Sequence, residues 1–279
     1  MRSSISNALN RIGCAVKKNL FILFNRNEYH LLNHNIFVAY TMGKVGSVTI
    51  EKAIAARVFY NPVFHLHFLS KEGLKKHKEF NKSNSGYELA SDFETERNNN
   101  KQKRLKIITL VRDPISRDIS DLFQNYRTYI PEQKRAEINL EQMIAYFKKF
   151  DHDYALEWFD VELGEYLGID IYKYEFDKGK MYQIIKDTRF DLLIIRLEDL
   201  SKVFDIAMYE FTGTRNWRLL SEENNADDKF YAEVYSSFKK NVTIDNSILD
   251  KVYNSKYFNH FYSEAEKKKY IDKWKRIQN

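Results

Sequence analysis

The feature that most limits what this chain can become is a strand that runs straight into a glycine-flanked turn and then a helix. Ile36–Thr41 (IFVAYT) is a short apolar, partly β-branched run, the pattern of a buried strand. Met42-Gly43-Lys44-Val45-Gly46 follows as a turn, and Ser47 to Phe59 carries Ile50, Ala53, Ile54 and Val58 at helical spacing. The alternation repeats. Val63–Phe68 reads as a second strand and 70–80 as a helix. Leu105–Val111 (LKIITLV) reads as a third strand, followed by a helix that runs to about Tyr129, and Phe190–Leu197 (FDLLIIRL) as a fourth, with a helix from Asp199 onward. Strands alternating with helices imply parallel βαβ units with right-handed crossovers. The expected fold class is therefore α/β: a P-loop-like parallel sheet of about four to five strands flanked by helices, with a mainly helical C-terminal part.

Boundaries follow from the same pattern. Residues 138–167 read as two or more amphipathic helices, and 227–240 and 263–276 as helices of the tail, the last opened by a capping box at Ser263-Glu264-Ala265-Glu266. The polar, Asn/Lys-rich stretch 81–104 is read as a loop. Residues 1–30 form an N-terminal segment in which 4–24 has basic amphipathic spacing, and 31–279 is taken as one domain. A chain of 279 residues with 43% hydrophobic content has enough apolar surface for a sizeable core. Its single cysteine, Cys14, excludes a disulfide framework and a cysteine-based zinc site.

No run approaches the roughly 18 apolar residues needed to span a bilayer, and Leu20–Phe24 is too short for a signal-peptide core. A cytoplasmic protein is expected, with residues 4–24 offering a peripheral contact at the inner face of the membrane. The net charge of +6, from 45 basic and 39 acidic residues, suits a polyanionic partner: nucleotide, nucleic acid, anionic lipid or acidic glycan. It is spread along the chain without a basic run, which argues against nucleic acid.

Three predicted strands end in residues that can do chemistry, where ligands of open α/β sheets bind. The first is AYTMGKVGSVTIEKAI, residues 39–54. Free amides and the dipole at the start of its helix make an anion site. Lys44 adds a charge there, and Ser47 and Thr49 add hydroxyl donors. It is not a Walker A motif, which needs Lys directly after the second Gly. The second is KIITLVRDPISRDISDLFQN, residues 106–125. Arg112 ends the strand with a guanidinium that can fork onto a phosphate, Asp113 and Pro114 open a helix, and Ser120 lies about 10 Å along the helix axis, within reach of an anion shared with Arg112. The third is VFHLHFLS, residues 63–70. His65 and His67 share one side of a strand, and either can serve as a general base near neutral pH. Other residues read as structural: Trp158, Phe159 and Phe147 as core, Asp160 and Glu162 as solvated or capping, His152 as a surface histidine, His260 and Tyr262 as structural. Glu198 and Asp199 read either as helix N-terminal residues or as a carboxylate that orients a base.

The first two segments together resemble the sulfotransferases that use PAPS (3′-phosphoadenosine 5′-phosphosulfate). Lys44, Gly46 and Ser47 match that family's first nucleotide loop, and Arg112 with Ser120, eight residues on, match its 3′-phosphate pair. Gly43 stands where the family has proline and Val48 where it often has a hydroxyl, with Thr49 available to compensate. IIRLEDL (194–200) is similar to a late strand of these enzymes. WFDVEL (158–163) and HFYSEAEKKKYIDKW (260–274) are similar to bacterial capsular polysaccharide synthesis proteins, themselves sulfotransferase-like. The resemblance implies PAPS as donor and PAP as product, a carbohydrate acceptor, and no metal. The donor would be bound by Gly43, Lys44, Val45, Gly46, Ser47, Val48, Thr49, Arg112 and Ser120. Lys44 would act on the leaving group, and His67 would be the base, with His65 second. No third nucleotide motif is evident near the C-terminus; Lys239 and Lys240 are the stand-ins. The alternatives are a nucleotide-dependent kinase on a P-loop-like fold and a non-catalytic basic protein that binds membrane or nucleic acid.

Overall fold

The computed structural model describes residues 17–20, 22, 23, 25–132, 138–220 and 231–275. Five strands form one sheet: β1 (Asn35–Tyr40), β2 (Val63–Leu66), β3 (Arg104–Val111), β4 (Tyr182–Lys186) and β5 (Phe190–Arg196). Their order is β2-β1-β3-β5-β4. β1, β2, β3 and β5 are parallel, while β4 pairs antiparallel with β5. Every residue of β1 and β5 is buried. That is why they read as unbroken apolar runs: helices cover both faces of a parallel sheet.

The sheet is thus mixed, and β4 is an addition to the four strands expected from the pattern. It is a five-residue edge strand with only Tyr182 and Ile185 buried, too short and too half-covered to stand out. It returns into β5 through Asp187-Thr188-Arg189, a turn pinned where Asp187 Oδ1 accepts from the Arg189 amide at 2.9 Å. A connection this short is open only to antiparallel neighbours.

The helices that matter for the site are α1 (Arg26–Asn33), α2 (Ser47–Arg57), α3 (Lys71–Asn81), α4 (Ser85–Asn99), α5 (Pro114–Gln124), α6 (Tyr126–Tyr129), α7 (Leu140–Phe147) and α8 (Tyr154–Trp158), which widens into a π-helical stretch over Phe159–Leu167. The helix predicted to run from Pro114 to Tyr129 is broken at Asn125 into α5 and α6. The expected loop at 81–104 is mostly helix: α4 occupies Ser85–Asn99. Its composition hid it, because Ala90 and Phe93 alone are buried; Phe93 packs edge-on against Phe64 of β2 with ring centroids 5.3 Å apart. The C-terminal part is helical as expected: α9 (Leu200–Thr212), α10 (Ala232–Asn241), α11 (Asn246–Tyr253), α12 (Lys256–Phe261) and α13 (Glu264–Trp274). The capping box of Ser263 and Glu266 opens α13, and Asp113 caps α5 by accepting from the Ser116 amide at 2.9 Å, with Pro114 in the first turn.

One continuous core runs from Leu32 to Trp274. Most of the amphipathic stretch 4–24 lies outside the described residues, as do the first residues of the predicted 227–240 helix. Among the described residues, no helix is long and apolar enough to cross a membrane.

Candidate active site

After β1 the chain moves to β2 on one side and then crosses to β3 on the other. The carboxyl end of β1 is therefore a topological switch point, where such sheets open a crevice. The loop there, Thr41 to Gly46, leads into α2. Gly46 has φ +82° and packs so closely that a Cβ would lie 2.7 Å from Leu197 Cδ1. No side chain caps α2 and no acidic residue stands in its first turn, which leaves its N-terminal dipole and amides to an anion. Lys44 also takes a left-handed conformation, φ +69°, uncommon outside glycine. Arginines from the β3–α5 segment hold the turn. Arg112 Nη1 donates to the Lys44 carbonyl at 2.8 Å and Arg117 Nε to the Gly43 carbonyl at 3.1 Å, while the Gly43 amide donates to the Tyr154 hydroxyl at 3.4 Å.

Beside this loop opens a cavity of about 620 Å³ whose wall includes Gly43, Lys44 and His67. Aromatic side chains of Phe68, Phe80, Tyr129, Phe150 and Tyr154 supply apolar wall, and charged or polar side chains such as Lys76, Arg117, Asp121 and Lys149 are interspersed among them. Val45 is fully buried and Ser47 is 6% exposed. Val48 and Thr49 are half-buried on α2. Arg112 is brought to the Lys44 turn. Ser120 lies half-buried on α5, with no hydrogen bond to the turn among the described residues.

The two histidines separate clearly. β2 ends at Leu66, so His67 is the first residue beyond it. Its Nδ1 lies 2.7 Å from the Thr41 carbonyl. A carbonyl only accepts, so Nδ1 carries the proton and Nε2 keeps its lone pair. Burial, and then the neighbouring His65, push its pKa from the usual 6.5 down to about 4, against the Thr41 hydrogen bond that holds it up. The ring is neutral at pH 7. His65 stands edge-on to it, centroids 4.8 Å apart, but its Nδ1 meets Glu51 Oε2 of α2 at 2.9 Å, and the cavity wall includes His67 without His65.

Several residues read as bland are built into the site. Glu162, expected to be solvated or capping, is 1% exposed. It accepts from the Tyr40 hydroxyl, from the amides of Leu69 (2.8 Å) and Ser70 (3.0 Å) and from Ser70 Oγ (2.9 Å). It thereby pins the turn that carries His67. His152, expected on the surface, is 5% exposed and its Nδ1 donates to Asp118 Oδ2 at 2.8 Å. Asp160 is exposed as expected and pairs with Lys256 at 2.7 Å. Trp158, Phe159, Phe147 and Tyr262 are core. Glu198 and Asp199 serve neither histidine: Glu198 accepts from the Asp113 amide at 2.8 Å and the Tyr262 hydroxyl at 3.1 Å, and Asp199 binds Arg196 and Lys202.

A further cationic element comes from the C-terminal helices. The Lys273 ammonium of α13 has its pKa pushed down by burial, held up by Asp113, and pushed down again by Arg112 and by Lys239 of α10. Lys273 thus feels positive charge from two distant segments, Arg112 after β3 and Lys239 of α10. Nothing local in the sequence marks Lys273. Among the described residues, no cluster of three or more His, Cys, Asp or Glu could hold a metal ion.

Residues 133–263 match the NKWYS family model, described as "Putative capsular polysaccharide synthesis protein". The match takes in β4, β5 and the cavity wall from Tyr146 to Glu162, and begins after the Lys44 turn and Arg112. Neither a curated protein nor a solved structure matches the chain.

Proposed function

We propose that this protein is a PAPS-dependent sulfotransferase that moves a sulfuryl group to a hydroxyl of a carbohydrate in capsular or surface polysaccharide synthesis. The observation that carries the reading is the convergence on one turn: Lys44 and a neutral His67 line one cavity, while Arg112 reaches the same turn without lining that cavity. The donor's phosphates would take the N-terminus of α2 and Arg112; the acceptor would take the cavity. The similarity of residues 133–263 to a capsular polysaccharide family supports a saccharide in the cavity.

In this reading His67 Nε2 takes the proton of the acceptor hydroxyl, whose oxygen forms a bond to sulfur as the bond from sulfur to the phosphate oxygen breaks. PAP leaves with the electron pair, and Lys44 stabilises the charge that develops on that oxygen. His67 starts neutral, as a base must. The donor's negative charge would raise its pKa.

The test has two parts. PAP should stabilise the protein by about 2.7 kcal/mol at 100 times its Kd, well above AMP or ADP at the same concentration. Transfer of labelled sulfate from PAPS to saccharide acceptors should fall roughly 100-fold in kcat for Lys44→Ala, the scale of losing one donor to a developing oxyanion. PAP no better than AMP, or an unchanged kcat, would end the assignment.

A further inference from the structure

The proposed chemistry leaves unused a buried ion cluster on α5. Arg117 is 4% exposed. Its Nη1 donates to Asp118 Oδ1 at 2.7 Å, its Nη2 to Asp121 Oδ2 at 3.1 Å, and its Nε to the Gly43 carbonyl. The guanidinium lies over the Tyr154 ring, 4.4 Å from its centroid. Both carboxylates continue outward. Asp118 Oδ2 accepts a hydrogen bond from His152 Nδ1, next to the cavity-lining Asp151. Asp121 accepts from Tyr129 at 2.8 Å and from Asn125 at 2.7 Å, and both of those side chains line the cavity too.

Stability alone is a poor reason for this arrangement. A buried ion cluster is often no more stabilising than well-packed apolar residues of the same volume. What apolar residues cannot do is aim a donor at the Gly43 carbonyl. Gly43 is gripped at both ends of its own backbone, at the amide by the Tyr154 hydroxyl and at the carbonyl by Arg117. The next residue is Lys44, in a left-handed conformation that an unrestrained lysine seldom adopts.

We propose that Arg117 is a positioning residue: it fixes the Gly43–Lys44 peptide so that Lys44 presents its ammonium to the reacting groups, and through Asp118–His152 and Asp121–Tyr129 it holds the mouth of the acceptor cavity in register with that turn. The role assigned to Lys44 rests on the sulfotransferase reading; the restraint on the turn does not. Two carboxylates, a stacked ring and a backbone carbonyl at fixed angles call for the guanidinium fork, which the compact ammonium of lysine cannot reproduce. Misplacement of a catalytic group by about 1 Å costs on the order of 100-fold in rate.

The experiment compares the full-length wild type with Arg117→Lys, which keeps the charge for Asp118 and Asp121, and with Tyr154→Phe, which keeps the ring and deletes only the hydroxyl. Amide hydrogen exchange of peptides covering 43–47 is followed without nucleotide, beside peptides covering β3 as an internal reference. Local opening should speed exchange in the turn by roughly 10-fold or more in Arg117→Lys, and less in Tyr154→Phe, with β3 unchanged. In PAPS turnover, Arg117→Lys should lose about 10- to 100-fold in kcat, with PAP affinity changed by no more than about 3-fold, under half a decade in Kd. Unchanged protection of the turn would overturn the proposal. So would faster exchange spread evenly over turn and β3, since that reports lost global stability. If Arg117→Lys does not fold, the Tyr154→Phe exchange result decides. If the wild type transfers nothing from PAPS, the functional reading fails while the exchange measurement still tests the restraint.

Discussion

Replacing Glu162 by alanine tests the part of the site that local sequence reading misses. The carboxylate receives four donors: the Tyr40 hydroxyl, the Leu69 and Ser70 amides and Ser70 Oγ. Ser70 in turn caps α3 by accepting from the Gly73 amide at 2.8 Å. The fit is close enough that a Cβ on Gly73 would lie 1.7 Å from Glu162 Oε1. Each buried donor left without an acceptor costs about 1–3 kcal/mol, and a weakened cap about 1 kcal/mol. Against this stands relief of the carboxylate's own desolvation and entry of water, so a plain sum overshoots. Removing one partner from a buried charged network typically costs 3–5 kcal/mol, and we expect about that loss for Glu162→Ala. Urea unfolding followed by tryptophan fluorescence measures it, because Trp158 packs on Tyr40 with ring centroids 5.3 Å apart. With a denaturant slope of about 3 kcal/mol per molar, the midpoint should fall by roughly 1–1.7 M. Glu162→Gln, which keeps one acceptor oxygen, should lose roughly half as much, since some of the donors remain satisfied. A midpoint within about 0.3 M of wild type for the alanine variant, under 1 kcal/mol on that slope, would show that water satisfies these donors and that Glu162 does not hold the His67 turn.

Arg112→Ala should weaken PAP by about 10- to 100-fold, a charge-assisted contact of about 1.5–3 kcal/mol, and leave adenosine 5′-phosphosulfate nearly unaffected; equal loss for both nucleotides in calorimetry would reassign Arg112 to holding the Lys44 carbonyl. Because His67 must be neutral to act, kcat/KM for PAPS, which reports the free protein, falls as pH drops through its pKa, held there near 4; it should therefore persist at pH 5.5, and an acid limb in this parameter at the ordinary histidine value would contradict the buried neutral ring. Gly46→Ala must accept φ +82° and a Cβ 2.7 Å from Leu197 Cδ1. It should cost about 1–2 kcal/mol in unfolding and weaken PAP more than its own stability loss explains; wild-type PAP affinity would show that the turn is not part of the donor site.

The strands and the Lys44 turn were legible because their evidence is consecutive. β3 and β5 are buried on nearly every residue, so composition alone announces them, and Asp113-Pro114 states where α5 begins. β4 has no such run, and α4 buries two residues of fifteen, so polar composition outweighed its periodicity. The polar side of α5 hides its role in a different way. Ile115, Ile119, Leu122 and Phe123 make an apolar stripe, and Arg117, Asp118 and Asp121 look like the solvated side. In the fold that side is covered as well, by α7 and α8, and its charges are satisfied by one another, by Gly43 and by His152. A helix buried on both faces cannot be told from an amphipathic one when its second face is ion-paired.

The donor and acceptor halves of the proposed function rest on different parts of the chain. The capsular polysaccharide similarity starts at residue 133, after the turn, the histidines and Arg112. Its share of the cavity is the wall from Tyr146 to Glu162; the opposing residues Gly43, Lys44, His67 and Arg117 come from before it. The two halves are joined by contacts that span great sequence distance: Tyr40 to Glu162, Gly43 to Tyr154, Asp118 to His152. None of these pairs shares a local motif, so each half could be read alone and the junction could not. The junction also separates the tests. If acceptor choice resides in the later segment, substitutions at Tyr146, Phe150 or Val161 should change which saccharide is used and leave PAP stabilisation intact. Substitutions at Lys44 or Arg112 should alter donor handling for every acceptor alike. Loss of both together from one cavity-wall substitution would mean that the cavity is the nucleotide site, and the division of donor and acceptor across the Lys44 turn would have to be reversed.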